Sequence, residues 1–172
     1  MVEHISFDVV KTFPFFEIRQ YPSIIVASVQ IVDETSSFRK LFNYISGYNQ
    51  NKEKIAMTAP VMTSEKIPMT SPVITDENKM MFVLPTYYTE NTVPQPTDPD
   101  IKIEIIASRT VAVLRFRGNT NKESIHKQKT RLKELLKKEQ YKIKGNAFLM
   151  RYNSPFMPGF FRRNEIAIMI VE

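Results

Sequence analysis

Two histidines, His4 and His126, are the whole imidazole supply of this 172-residue chain, and it has no cysteine. A metal centre needs several His, Cys or carboxylate ligands at short spacings, so no metal ion is expected. Disulfides, iron–sulfur clusters, thiolate-ligated heme and a cysteine nucleophile are excluded outright. His4 lies near the chain start and His126 in a run of lysines, and both read as surface imidazoles. Asp33, Glu34, Asp98 and Asp100 fall in turn-forming stretches, where they need no catalytic role. No serine is flanked by glycines as a nucleophile elbow requires. Gly47, Gly118, Gly145 and Gly159 are too few and too scattered for a phosphate-cradling loop. The chemistry excluded is therefore wide, and no catalytic residue is assigned.

What remains is an apolar surface in an unusual place. From Tyr152 to Glu165 the chain sets Phe156, Met157, Phe160 and Phe161 among Pro155, Pro158 and Gly159, and follows them with Arg162 and Arg163. A proline- and glycine-broken loop cannot point all those rings into a strand-built core. They either cap one end of the core or wall an apolar pocket. The two arginines can pair with Glu165 or meet a ligand carboxylate.

The elements that must position this loop follow a strand–helix–strand pattern stated twice. Ile24 to Val29 reads as a strand. A helix is predicted from Ser37 to Ser46, capped by Ser36, with Phe38, Leu41, Phe42 and Ile45 on one face and Gly47 as its left-handed stop. In the second half, Val111 to Phe116 is a strand and Gly118-Asn119 a turn. Thr120 with Glu123 forms a capping box for a helix ending near Glu139, on which Ile125, Leu132, Leu135 and Leu136 form the apolar stripe. Further strands are predicted at Met80 to Leu84, Ile101 to Ile106, Ala147 to Tyr152 and Ile166 to Val171. Ile24, Val26, Val111, Val113 and Ile168 are expected to be buried. Pro85 to Pro99 is read as a stiff, exposed connection between the halves.

One segment is nearly duplicated: Lys54 to Thr63 (KIAMTAPVMT) recurs as Lys66 to Thr75 (KIPMTSPVIT). Its period-two alternation is that of a strand with one apolar face, and Pro60 and Pro72 must each sit at a break, bulge or sheet edge. Length and composition, 42% hydrophobic and 24% charged, bound the chain to one domain or two small packed halves. No run nears the ~18 apolar residues of a membrane span. No secretory leader is evident, and a cytoplasmic location is expected. Much of the +6 net charge lies in Lys122 to Lys144. We read that stretch as a solvated helix face and expect no nucleic acid partner, since no aromatic residue interleaves with the charges before Tyr141.

Taken in order, these motifs resemble the SOUL or heme-binding protein family. The resemblance is carried by Phe15-Phe16-Glu17-Ile18-Arg19-Gln20-Tyr21, by Phe38 to Asn49, by Lys54 to Val61, by Phe82-Val83-Leu84-Pro85, and by Asn153-Ser154-Pro155 through Arg163-Asn164-Glu165. The doubled motif and the segment from Tyr88 to Asp100 look like the microbial branch. The resemblance implies an α+β fold: a twisted antiparallel barrel-like sheet flanked by two helices, built as a pseudo-twofold duplication in a single domain. It also implies non-enzymatic binding of heme or another tetrapyrrole in an apolar groove between the first helix and the loop before the last strand. Carried over by position, the groove walls are Phe38, Leu41, Phe42 and Ile45 on the helix and Phe156, Met157, Phe160 and Phe161 on the loop. Arg39, Lys40, Arg162 and Arg163 are implied as propionate contacts. The chain departs from the family in having no histidine from Ile5 to Ile125, so axial histidine ligation is not expected. Two alternatives stand beside this: binding or sequestering another hydrophobic small molecule, and docking a protein partner through the aromatic loop.

Overall fold

The structure, a computed structural model, describes residues 3–64, 78–152 and 158–171. The chain divides into two compact units. The first comprises Met1–Ile5 and Ser23–Ala107, and the second Ser6–Pro22 and Ser108–Glu172. The second copy of the repeat, Lys66 to Thr75 with Pro72, and the loop residues Phe156 and Met157 lie outside the described residues.

In the first unit a seven-residue strand, β4 (Ile24–Gln30), leads into helix α1 (Glu34–Ile45) and then into β5 (Thr58–Ser64), β6 (Lys79–Val83) and β7 (Lys102–Ile106). The sheet runs β5-β6-β4-β7, antiparallel throughout, and the short β1 (Glu3–His4) adds to β5 in parallel. The helix starts three residues before its predicted start because Asp33, and not Ser36, is the cap: its carboxylate accepts from the amides of Thr35 and Ser36 at 3.1 and 3.3 Å. Ser37, Leu41, Tyr44 and Ile45, at i, i+4, i+7 and i+8, make the buried face. Leu41, Tyr44 and Ile45 form the core under the helix with Ala27, Val29, Met80 and Phe82. Gly47 has φ +116°, the left-handed stop its position requires. Pro60 lies where the β5–β6 register shifts between Thr58 and Val61, as a residue without an N–H must.

The segment from Pro85 to Pro99 departs in part from its expected form. It is mostly exposed, as expected, but it does not loop free between the halves: it belongs to the first unit, where Pro85, Tyr88, Val93 and Pro94 are buried. The Tyr44 hydroxyl donates to the Pro94 carbonyl, the Gln50 amide to that of Gln95, and Asn49 bridges to Pro96. Its prolines stiffen a strap packed beside α1, and a polar composition conceals its two core residues, Tyr88 and Val93.

The second unit repeats the same order of elements. Here β8 (Arg109–Arg117) leads into α2 (Lys122–Lys138), then the short β9 (Lys142–Ile143), β10 (Phe148–Arg151) and β11 (Arg163–Val171). In the first unit the strand before the helix pairs with the last strand of the motif, which pairs with the middle one; in the second, β8 pairs with β11 and β11 with β10. An additional strand sits on the far side of each leading strand: β7 on β4, and β3 (Glu17–Tyr21) on β8, with β2 (Asp8–Thr12) outside it. Asn121, one residue after the predicted cap, accepts from the Ser124 amide at 2.8 Å. Leu132 and Leu136 are fully buried, and Ile125 and Leu135 flank them against Ile18, Leu114, Leu149 and Ile168. All five residues expected to be buried in the strands are so, at no more than 7% exposure. The protein is thus an α+β molecule, each unit an antiparallel sheet carrying one helix.

Candidate functional site

The residues that the sequence marks as a ligand surface divide by environment. On α1, Leu41 and Ile45 belong to the core of the first unit and offer nothing outward. Phe38 is half-buried, its ring edge-on to Phe82 at 5.2 Å and stacked with Phe42 at 6.1 Å and 14°. Phe42 is half-exposed. Together Phe38 and Phe42 form an aromatic ledge one turn apart on the helix. Arg39 is exposed beside it, while Lys40 forms an ion pair with Asp100. Two clefts of about 220 and 350 Å³ open beside Lys40 rather than beside Phe42.

In the second unit Phe160 and Phe161 occupy a single 3-10 turn, Gly159–Phe161, just before β11. Their rings are 4.3 Å apart, and they are 68% and 60% exposed. Two neighbouring phenylalanines this open in a short turn form an exposed apolar patch. Arg163 turns inward to Glu165, its Nη2 donating to Oε1 at 3.0 Å. Of the two roles foreseen for Arg163, the ion pair with Glu165 is the one it occupies.

Sequence reasoning missed the most concentrated polar group of the second unit. Arg19 on β3 and Glu165 on β11 are 1% and 0% exposed. The guanidinium donates to both carboxylate oxygens, each at 2.9 Å, and through Nη1 to the Tyr21 hydroxyl at 2.8 Å. Its Nε meets Glu17, and the Phe7 ring lies 4.1 Å from its central carbon. Arg115 stands 3.7 Å from the same carboxylate. Burial alone would push the Glu165 carboxyl up, but the bonds and charge of Arg19, with Tyr152 and Arg163, hold it below its usual value. Burial pushes the Tyr21 and Tyr152 phenols up. Glu165 is therefore ionised and both phenols are protonated at neutral pH, and the cluster holds its protons rather than exchanging them. It is a cross-link between strands. Glu17, Arg19 and Tyr21 alternate with Ile18 and Gln20, so the strand's sequence looks half-solvated, and only its place in the sheet reveals that the polar face is covered.

Among the described residues no three His, Cys, Asp or Glu side chains are grouped to hold a metal ion. His126 is exposed on α2. No described helix is long and apolar enough to cross a membrane.

This topology, two units of strand, helix and antiparallel return, defines a fold class represented among solved structures. The chain superposes on the C-terminal domain of EcmrR with a TM-score of 0.65 at 13% identity, covering 93% of this chain and 99% of that one. It superposes on a structure titled as a hydrolase from Listeria innocua with a TM-score of 0.63 at 9% identity, covering 94% of each. At such identities the likeness is one of fold alone. The sequence carries the finer assignment. The family model described as SOUL heme-binding protein matches residues 2–169, and the chain belongs to that family. It is 32% identical over 158 residues to Heme-binding protein 2 of Mus musculus, covering 88% of this chain and 76% of that protein. Its identity to Heme-binding protein 2 of Homo sapiens is 31% over 147 residues, covering 81% and 71%.

Proposed function

We propose that this protein binds heme or a related tetrapyrrole reversibly and without turnover, using apolar contacts in place of an axial histidine. Membership of a family described as heme-binding supports the class of ligand, and the observation that supports the surface is that each unit has an open aromatic ledge, Phe38–Phe42 in the first and Phe160–Phe161 in the second. A tetrapyrrole is a wide flat apolar ring bearing carboxylates. Side chains suited to it are exposed rings with a cation at their margin, and Arg39, three residues before Phe42, is such a cation. Lys40 and Arg163 already hold Asp100 and Glu165, so a propionate reaching either would have to displace a carboxylate. Phe156, Met157 and Arg162 extend the loop side of the same proposal. The heme iron supplies axial bonding where a ligand is offered; here His126 lies on α2, away from both ledges in sequence, and is assigned no role.

The test is a titration of the full chain with hemin and with metal-free protoporphyrin IX, followed by porphyrin absorbance. Binding through apolar contact predicts similar affinity for the two. Phe42→Ala and Phe160→Ala should each weaken it by about 1 to 3 kcal/mol, the scale for one large apolar contact, and His126→Ala should leave it unchanged. Hemin binding that survives both phenylalanine replacements but collapses with His126→Ala would overturn the surface. Absence of binding below about 100 µM, roughly 5.5 kcal/mol, would overturn the ligand class.

A further inference from the structure

Charge is divided unequally between the two units. The second holds 17 lysines and arginines against 7 acids, net +10; the first holds 7 against 11, net −4, which together give the chain's +6. A basic unit of this strength attracts polyanions, and the side chains set among its charges determine which kind.

The hairpin of β2 and β3 carries them. β2 is the edge of its sheet, paired only with β3 among the described residues, and all five of its side chains are exposed, Val9 and Val10 included. At its tip the Phe13 amide donates to the Phe16 carbonyl, and the two rings stack at 4.4 Å, which leaves Phe15 60% exposed. Arg131 of α2 lays its guanidinium 4.9 Å from the Phe15 ring, so the hairpin tip and the helix form one surface. Lys127, Arg131 and Lys138 fall along that flank of the helix, at i, i+4 and i+11, and all three are exposed. A cleft of about 320 Å³ beside Phe15 has Arg115 and Arg131 in its wall.

We propose that this face, the β2–β3 hairpin tip with the Lys127–Arg131–Lys138 flank of α2, docks the protein peripherally on an anionic lipid bilayer. Phe15, with Val9 and Val10 behind it, enters the acyl boundary; the cations meet headgroup phosphates and carboxylates, and the cleft accommodates one headgroup. The aliphatic side chains decide between lipid and nucleic acid. Valines gain by entering hydrocarbon and gain nothing from phosphate or stacked bases, whereas an apolar tip ringed by lysine and arginine is the composition of interfacial anchors. The inference is independent of the tetrapyrrole reading.

The experiment is co-sedimentation of the full chain with vesicles of phosphatidylcholine alone and of phosphatidylcholine with 30% phosphatidylserine. The expected result is at least tenfold stronger binding to the anionic vesicles at about 0.1 M NaCl, largely lost at about 0.5 M. Changing Lys127, Arg131 and Lys138 together to Gln should weaken it on the order of 100-fold, and Phe15→Ser roughly tenfold, with circular dichroism unchanged since all four sites are exposed. Equal binding to both vesicles, no binding to either, or a triple variant that binds like the parent would overturn the proposal. So would a 20-nucleotide single strand that binds with the same dependence on the three cations while vesicles do not, which would make this a nucleic acid surface. Displacement from vesicles by millimolar glycerophosphoserine would reassign the cleft to free headgroups and equally sink the membrane reading.

Discussion

Arg19 and Glu165 show what a single buried pair commits a sheet to. Each has given up water, and each is repaid by the other and by Tyr21, Tyr152 and Arg163. Removing one partner leaves the other charged and dry. Glu165→Gln should therefore cost about 3 to 5 kcal/mol of unfolding free energy in urea. The double change Arg19→Met with Glu165→Leu should cost less than either single loss, because the charges then left without these partners, Glu17, Arg115 and Arg163, all reach water. The pH dependence follows from the depressed Glu165 value. Its contribution is whole above the ordinary carboxylate value of 4.5 and is lost as pH falls through the lower folded value. Thermal stability should decline below about pH 4.5 in the parent and show a shallower decline in Glu165→Gln.

Among elements, the helices were the most legible part of the sequence. Leu41, Ile45, Leu132 and Leu136 lie on the faces expected, because a 3.6-residue period survives without tertiary information. The caps lie one and three residues from those expected, since Asp33 and Asn121 compete with the nearby Ser36 and Thr120 for the same role and only backbone geometry decides between them. The candidate ledges were legible in part. Helical spacing puts Phe38, Leu41, Phe42 and Ile45 on one face, but only the inward part of it, Leu41 and Ile45, is buried, because the arc of a helix that a sheet covers is narrow and leaves Phe42 half-exposed at its margin. β2 was missed because both of its faces are wet and its alternation carries no signal, and β3 because its covered face is polar. The strap beside α1 yields a prediction of its own. Tyr44 is buried there and its phenol is pushed up to about 12 by burial, then by the nearby charge of Glu53. Its contribution is complete below the ordinary value of 10.0 and is lost as pH rises toward 12. Alkaline unfolding should thus steepen between about pH 10 and 12. Tyr44→Phe should flatten that slope while costing about 1 kcal/mol at pH 7 through the lost bond to Pro94.

On the scale of the molecule, the second unit takes its far strand from the segment that precedes the first, whereas the first keeps its own within Ser23–Ala107. β3 runs directly into β4 yet pairs with β8 of its own unit, and β7 runs toward β8 yet pairs with β4. A fragment of residues 1–107 retains every strand of the first unit but deprives β3 of β8. Amides of residues 17–21 should exchange rapidly in that fragment and slowly in the full chain, since a two-stranded hairpin alone is marginal in water. Slow exchange in both would mean that β3 is held by something other than β8.

That arrangement has a consequence for biosynthesis. Tyr21 pairs with Arg109, a residue made 88 positions later. At ribosomal rates of roughly 5 to 20 residues per second, the β2–β3 segment waits on the order of 5 to 20 seconds for the strand that completes its sheet. During that interval Arg19 has no Glu165, and Phe16 and Ile18 have no helix over them. Until then the apolar side chains of β3 are open to any strand edge they meet, and a mutation that slows elongation between Pro22 and Ser108 lengthens that exposure without altering a single native contact.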